Sequence, residues 1–133
     1  MSNKNRNLVW VLLMISLPMA FAWYVYPTLP DSIPTHFNMK GEADHWGDRS
    51  SIFLGPGIMA VASLFVFFIL TNIKKIDPKK YNLKDESIYN TFALITSAFL
   101  SLVSMIIVYA STNNAISIGK LLLPALGLFF SVI

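Results

Sequence analysis

The stretch IFLGPGIMAVASLFVFFILTNI, residues 52–73, contains no Asp, Glu, Lys, Arg or His. A helix rises about 1.5 Å per residue, so this run is long enough to cross roughly 30 Å of hydrocarbon. In lipid a segment must satisfy its own backbone hydrogen bonds, which makes an isolated span helical. The run therefore predicts a membrane helix over about Ile52–Ile73. Gly55-Pro56-Gly57 falls where that helix begins, and a first turn tolerates Pro because its N–H groups have no helical partner.

The same reading extends outward in both directions. No Asp, Glu, Lys or Arg lies between Arg6 and Asp31, or between Glu86 and Lys120. These gaps predict helices over about Leu8–Tyr26 and Ser87–Tyr109. Residues 116–133 are apolar apart from Lys120 and suggest a fourth helix of roughly 27 Å, with Lys120 snorkelling to the interface. This last segment ends without a polar tail, as expected if a longer protein or gene has been shortened here. The fold class is thus all-α: an integral-membrane bundle of about four helices, a single membrane domain over 1–133, with an outer loop over 27–51 and a cytoplasmic loop over 74–86. Composition agrees. The chain is 55% hydrophobic and 13% charged, and its charges are segregated rather than spread over a surface.

Basic residues orient the bundle. Lys4, Arg6, Lys74, Lys75, Lys79, Lys80 and Lys84 fall on one side, against Lys40, Arg49 and Lys120 on the other. The richer side is expected to be cytoplasmic, in a bacterial cell membrane, with the N-terminus inside. Topology accounts for the basic balance, so the Lys-rich loop is not read as nucleic-acid binding. It contacts lipid headgroups on this reading. Residues 4–22 have a rival reading as a signal peptide, with Ala20-Phe21-Ala22 as a cleavage pattern. Against it, the apolar run continues through Tyr26. Intact mass separates the two.

Within the helices, Ala93, Ser97 and Ser101 recur every four residues, with Ser104 nearby. Small residues on one face let helices approach closely in lipid; the alternative is a polar translocation path. No ionisable residue lies deep in the first three spans, which weighs against a coupled transporter. Pro18 and Pro124 each remove a helical donor and predict kinks. Trp10, Trp23, Tyr24, Tyr26, Tyr81, Tyr89 and Tyr109 cluster near predicted ends, as interface aromatics do.

The outer loop, 28–51, holds four of the seven acidic residues. Pro30 and Pro34 predict a stiff, extended lead-in. Thr35–Asn38 reads as a short strand, and Asn38-Met39-Lys40-Gly41 as a turn with Gly41 free to take positive φ. Residues 42–47 read as a second irregular stretch with Gly47 at a turn. Leu29, Ile33, Phe37 and Trp46 are the loop's apolar residues, with Phe37 and Trp46 as its expected anchors. His36, Asp44 and His45 are the best metal-ligand candidates, although their spacing matches no established metal pattern. Nothing in the sequence brings a nucleophile, such as Ser32, Ser50 or Ser51, beside them. Without Cys there is no disulfide or thiolate site. No cofactor is expected.

The loop as a whole, LPDSIPTHFNMKGEADHWGDR, resembles the outward loop of the SdpI-like bacterial immunity proteins. That family carries the pattern LP-x-x-IP-x-HF-N-x-x-G-x-x-D-x-W-G-x-K. The matching positions are Leu29, Pro30, Ile33, Pro34, His36, Phe37, Asn38, Gly41, Asp44, Trp46 and Gly47, and Arg49 stands where the family usually has Lys. The resemblance implies a multi-pass protein that protects against a secreted peptide or protein toxin, in some members while signalling to a cytoplasmic regulator. It also implies further membrane helices and an Asn, Gly, Arg and Pro motif, which this sequence lacks. Pro30, Pro34, His36, Phe37, Asn38, Gly41, Asp44, Trp46, Gly47 and Arg49 become the expected binding or organising residues. Two other classes stay open: a membrane-bound metal-dependent enzyme using the His/Asp loop, and a transporter or assembly subunit using the helix serines.

Overall fold

A computed structural model describes residues 3–76, 78, 86–112 and 118–132. Helix α1 covers Asn3–Val25 and ends in a 3₁₀ turn over Tyr26–Thr28. Two strands follow, β1 (Ser32–Phe37) and β2 (Ala43–Asp48), and then a 3₁₀ turn over Arg49–Phe53. The remaining helices are α2 (Leu54–Thr71), a short α3 (Ile73–Ile76), α4 (Glu86–Thr112) and α5 (Ile118–Val132).

Helices α1, α2 and α4 pack mutually into a three-helix bundle, and α5 packs on α4. Three helical segments are long and apolar enough to cross a membrane: Asn3–Thr28, Arg49–Thr71 and Glu86–Thr112. Only 22% of each apolar window is buried inside the bundle, so most of this surface faces outward. The sorting of residues explains how that is stable. The buried set includes Ser63, Ser97, Ser101, Ser104 and Ser111, whereas Leu13, Leu17, Val61, Phe65, Leu123 and Phe130 are exposed. Water would reverse this arrangement. In lipid the outward Leu and Phe side chains cost nothing, and small inward residues allow close packing. The protein is a multi-pass membrane helical bundle.

The expected contact face on α4 is therefore present: Ala93, Ser97, Ser101 and Ser104 are all buried. Ser97 Oγ donates to the Ala93 carbonyl at 2.8 Å, within its own helix. Ser101 does something more specific. Its Oγ donates to the carbonyl of Met14 on α1 at 2.5 Å. Met14 lies four residues before Pro18, which is buried inside α1 and has no N–H to bond that carbonyl. A carbonyl freed by proline in one helix is thus satisfied by a serine from another, as lipid-embedded backbone requires.

Several boundaries differ from expectation. α1 starts at Asn3 rather than Leu8, and α4 runs through Thr112 rather than Tyr109. Hydropathy marks only the lipid-embedded part of a helix, whereas hydrogen bonding carries it into the polar zone. α5 has 15 residues, roughly 22 Å, and is shorter than a full crossing. Its expected first residues, 116 and 117, and its last, 133, lie outside the described residues. So do 77 and 79–85 of the expected cytoplasmic loop; α3 occupies the loop's start. The expected irregular stretch at 42–47 is in fact strand β2.

Candidate functional site

The segment between α1 and α2 forms an antiparallel hairpin seated on one end of the bundle. Its register pairs Ser32 with Asp48, Ile33 with Gly47, Pro34 with Trp46, His36 with His45, and Phe37 with Ala43. The register shifts on either side of His36, which leaves Thr35 on β1 and Asp44 on β2 without an opposed residue. Such irregularities re-aim side chains. Here His36 Nδ1 lies 2.6 Å from Asp44 Oδ1. A carboxylate only accepts, so Nδ1 carries the hydrogen in this contact. Both side chains are exposed, and in water such a pair orients its members more than it stabilises the fold.

Asn38 builds the turn. Its Oδ1 accepts from Lys40 N–H at 2.9 Å and Glu42 N–H at 3.0 Å. Its Nδ2 donates to Glu42 Oε2 at 3.2 Å. Its backbone carbonyl accepts from Gly41 N–H at 2.8 Å, and its N–H donates to the Glu42 carbonyl at 2.9 Å. Asn at the first and Gly at the fourth position is a favoured turn arrangement. Gly41 has φ 77°, a left-handed conformation that strains any residue with a Cβ. The expected turn is therefore present, with the side chain of Asn38 as its organiser.

The base of the hairpin is fastened by apolar contacts. Leu29, Ile33 and Ile52 are buried together with Ala22 and Val25 of α1 and Val108 of α4. Pro34 is also buried, while Pro30 is exposed. Arg49 ties the two legs together: its backbone N–H donates to the Asp31 carbonyl at 3.1 Å, and its guanidinium reaches Asp31 Oδ1 at 3.2 Å. The guanidinium also sits 5.8 Å from the centre of the Tyr26 ring.

Two expectations about this loop change. Phe37 is only half-buried and Trp46 is 49% exposed, so neither is an anchor; Ile33, Pro34 and Ile52 take that role. Gly47 is not at a turn. It lies inside β2, where an added Cβ would come within 2.8 Å of Thr35 Cγ2 and 2.9 Å of Ser51 Oγ. Its requirement is for space. The signal for Ile33 as anchor was its place between two prolines in a stiff segment, whereas nothing local marked the Thr35–Gly47–Ser51 contact.

Of the metal candidates, His36 and Asp44 come together. Among the described residues no three His, Asp or Glu side chains converge as a metal site would require. What the hairpin presents is a surface: fully exposed Met39, half-exposed Trp46 and the His36–Asp44 pair, all on a fixed base.

Residues 13–60 match a family model described as a domain of unknown function, DUF1648. The matched stretch runs from the middle of α1 through the hairpin into the first turns of α2. The chain is also 31% identical over 58 residues to an uncharacterized protein of Archaeoglobus fulgidus, covering 44% of this chain and 32% of that protein. The chain thus spans about a third of the length of the curated relative it matches. No solved structure matches it.

Proposed function

We propose that this chain, one membrane domain over 1–133, is an immunity or signalling protein of a bacterial cell membrane, with its N-terminus in the cytoplasm. The hairpin meets a secreted peptide or protein toxin outside, and the Lys-rich segment 74–86 serves a cytoplasmic regulator. The observation that carries this reading is the hairpin's division of labour. Leu29, Ile33 and Ile52 clamp it to the bundle, while Met39, Trp46 and the His36–Asp44 pair are displayed. Rigid display of this kind lowers the ordering cost of binding. Charge supports a cationic partner: Asp31, Glu42, Asp44 and Asp48 against Lys40 and Arg49 leave the loop two charges negative. The motif resemblance supports the same reading.

The test is survival of a sensitive Gram-positive host against a panel of secreted killing peptides. Wild type should protect. His36→Ala and Asp44→Ala, at equal membrane levels, should lose about tenfold of that protection, the scale of one charge-assisted hydrogen bond. No protection by well-expressed wild type would contradict the reading for this chain. Full protection by both variants would remove the pair from the site. The second reading, a metal-dependent protein, would take His36 and Asp44 as two of its ligands in place of their hydrogen bond. Stoichiometric metal in the purified protein would move the assignment to the metal-dependent reading.

A further inference from the structure

The opposite end of the bundle has a different construction. There the start of α1, the end of α2 with α3, and the start of α4 surround a cavity of about 300 Å³. Its lining carries three ammonium groups, from Lys4, Lys74 and Lys75, and one carboxylate, from Glu86. Among the described lining residues, three minus one leaves two positive charges. Neutral donors and acceptors from Asn72, Tyr89 and Asn90 complete the polar wall, and Leu70 and Ile73 supply an apolar border. The frame is tied across helices. Lys4 Nζ donates to Asn72 Oδ1 at 2.9 Å, and Asn72 Nδ2 donates to the Phe68 carbonyl at 2.7 Å. An ammonium has three donors, of which Asn72 takes one.

We propose that this cavity is a binding site for the phosphate of an anionic phospholipid headgroup. Three observations converge on that ligand class. The net charge selects an anion. The volume, about 300 Å³, is that of a small-ligand pocket and accommodates a phosphoglycerol group. The cavity sits where three candidate membrane spans end, the level at which lipid headgroups lie, and Leu70 of its lining belongs to one of those spans. Basic pockets between membrane helices at the headgroup level are suited to such lipids. The orienting effect of lysines on topology needs only charge near the span ends. It requires neither a cavity nor the neutral side chains that line this one.

The full chain, purified in a neutral detergent, is titrated with phosphatidylglycerol and, separately, phosphatidylcholine, and bound lipid is counted by native mass spectrometry. One phosphatidylglycerol should bind saturably and phosphatidylcholine should not. Lys74→Gln with Lys75→Gln should weaken binding about fivefold per lysine. Asn90→Leu changes no charge and should still weaken it several-fold, whereas Lys120→Gln on α5 should leave it unchanged. Helical circular dichroism confirms that each variant is folded. Equal binding of phosphatidylcholine, or equal weakening by Lys120→Gln, would overturn the proposal in favour of unspecific attraction. Unchanged binding in Asn90→Leu would overturn it as a built site. Saturation by glycerol phosphate at the lipid's own concentrations would make this a pocket for a soluble phosphate and overturn the lipid assignment.

Discussion

The hairpin and the bundle beneath it differ in what they leave outside. In the hairpin, Ile33 points inward while Asp44, His36 and Glu42 are exposed. In the bundle, Ser63, Ser97 and Ser104 are inside while Leu17, Val61 and Phe65 are outside. Each arrangement is the low-energy one for its own solvent. Water drives Ile33 down onto Val25 and Val108, because burying a large aliphatic side chain is favourable by about 1.5–3 kcal/mol. Lipid gives no such drive between helices, so contact surface and interhelical hydrogen bonds must hold α1, α2 and α4 together. One chain thus holds two apolar clusters, one at the hairpin's base around Ile33, Ile52 and Val108 and one between the helices around Val11, Phe67 and Ala93.

That contrast can be attacked from either side. The largest effect belongs to the hairpin. Gly47→Val places branched carbons where Thr35 and Ser51 already stand, and overpacking of this kind costs about 1–3 kcal/mol. Hydrogen–deuterium exchange should show 32–48 losing protection while α2 and α4 keep theirs. Loss throughout would mean that the two cores are one cooperative unit.

In the bundle, Ser101→Ala leaves the Met14 carbonyl without its donor. Interhelical bonds in lipid average about 0.6 kcal/mol and reach about 1.7, so a loss near 1 kcal/mol is expected in detergent unfolding titrations. Pro18→Ala restores an N–H to that carbonyl. In that background Ser101→Ala should be close to neutral, and a double-mutant cycle reads the coupling. Additive losses would show that Ser101 does not compensate for the proline. The smallest structural effect is expected at the display surface. Trp46→Ala should change stability by less than about 0.5 kcal/mol and, on the proposed function, still weaken protection against a secreted killing peptide. A large stability loss would make Trp46 an anchor after all.

How much of this was legible in the sequence follows the same division. The three spans were plain, because lipid demands long charge-free runs and 52–73 is one. The turn at Asn38–Gly41 was plain because its hydrogen bonds are local. Strand β2 was not: Glu42 to Gly47 has weak strand propensity and is held by its partner β1. Pro18 announced a free carbonyl at Met14, yet the donor comes from 87 residues away. For the site, the motif named His36, Asn38, Asp44 and Gly47 together, but only His36 and Asp44 touch; Asn38 works at the turn and Gly47 near the base. That His36 meets Asp44 rather than His45 depends on the two register shifts, which no spacing rule predicts.

The central claim is that the hairpin faces outward and the basic cavity faces the cytoplasm. The chain has no cysteine, so a single one can be placed at will. Met39→Cys marks the hairpin tip and Ile76→Cys marks the other end; both positions are exposed. In intact cells a membrane-impermeant maleimide should label Met39→Cys, and it should reach Ile76→Cys only after lysis. Labelling of Ile76→Cys in intact cells, with Met39→Cys protected, would contradict the account.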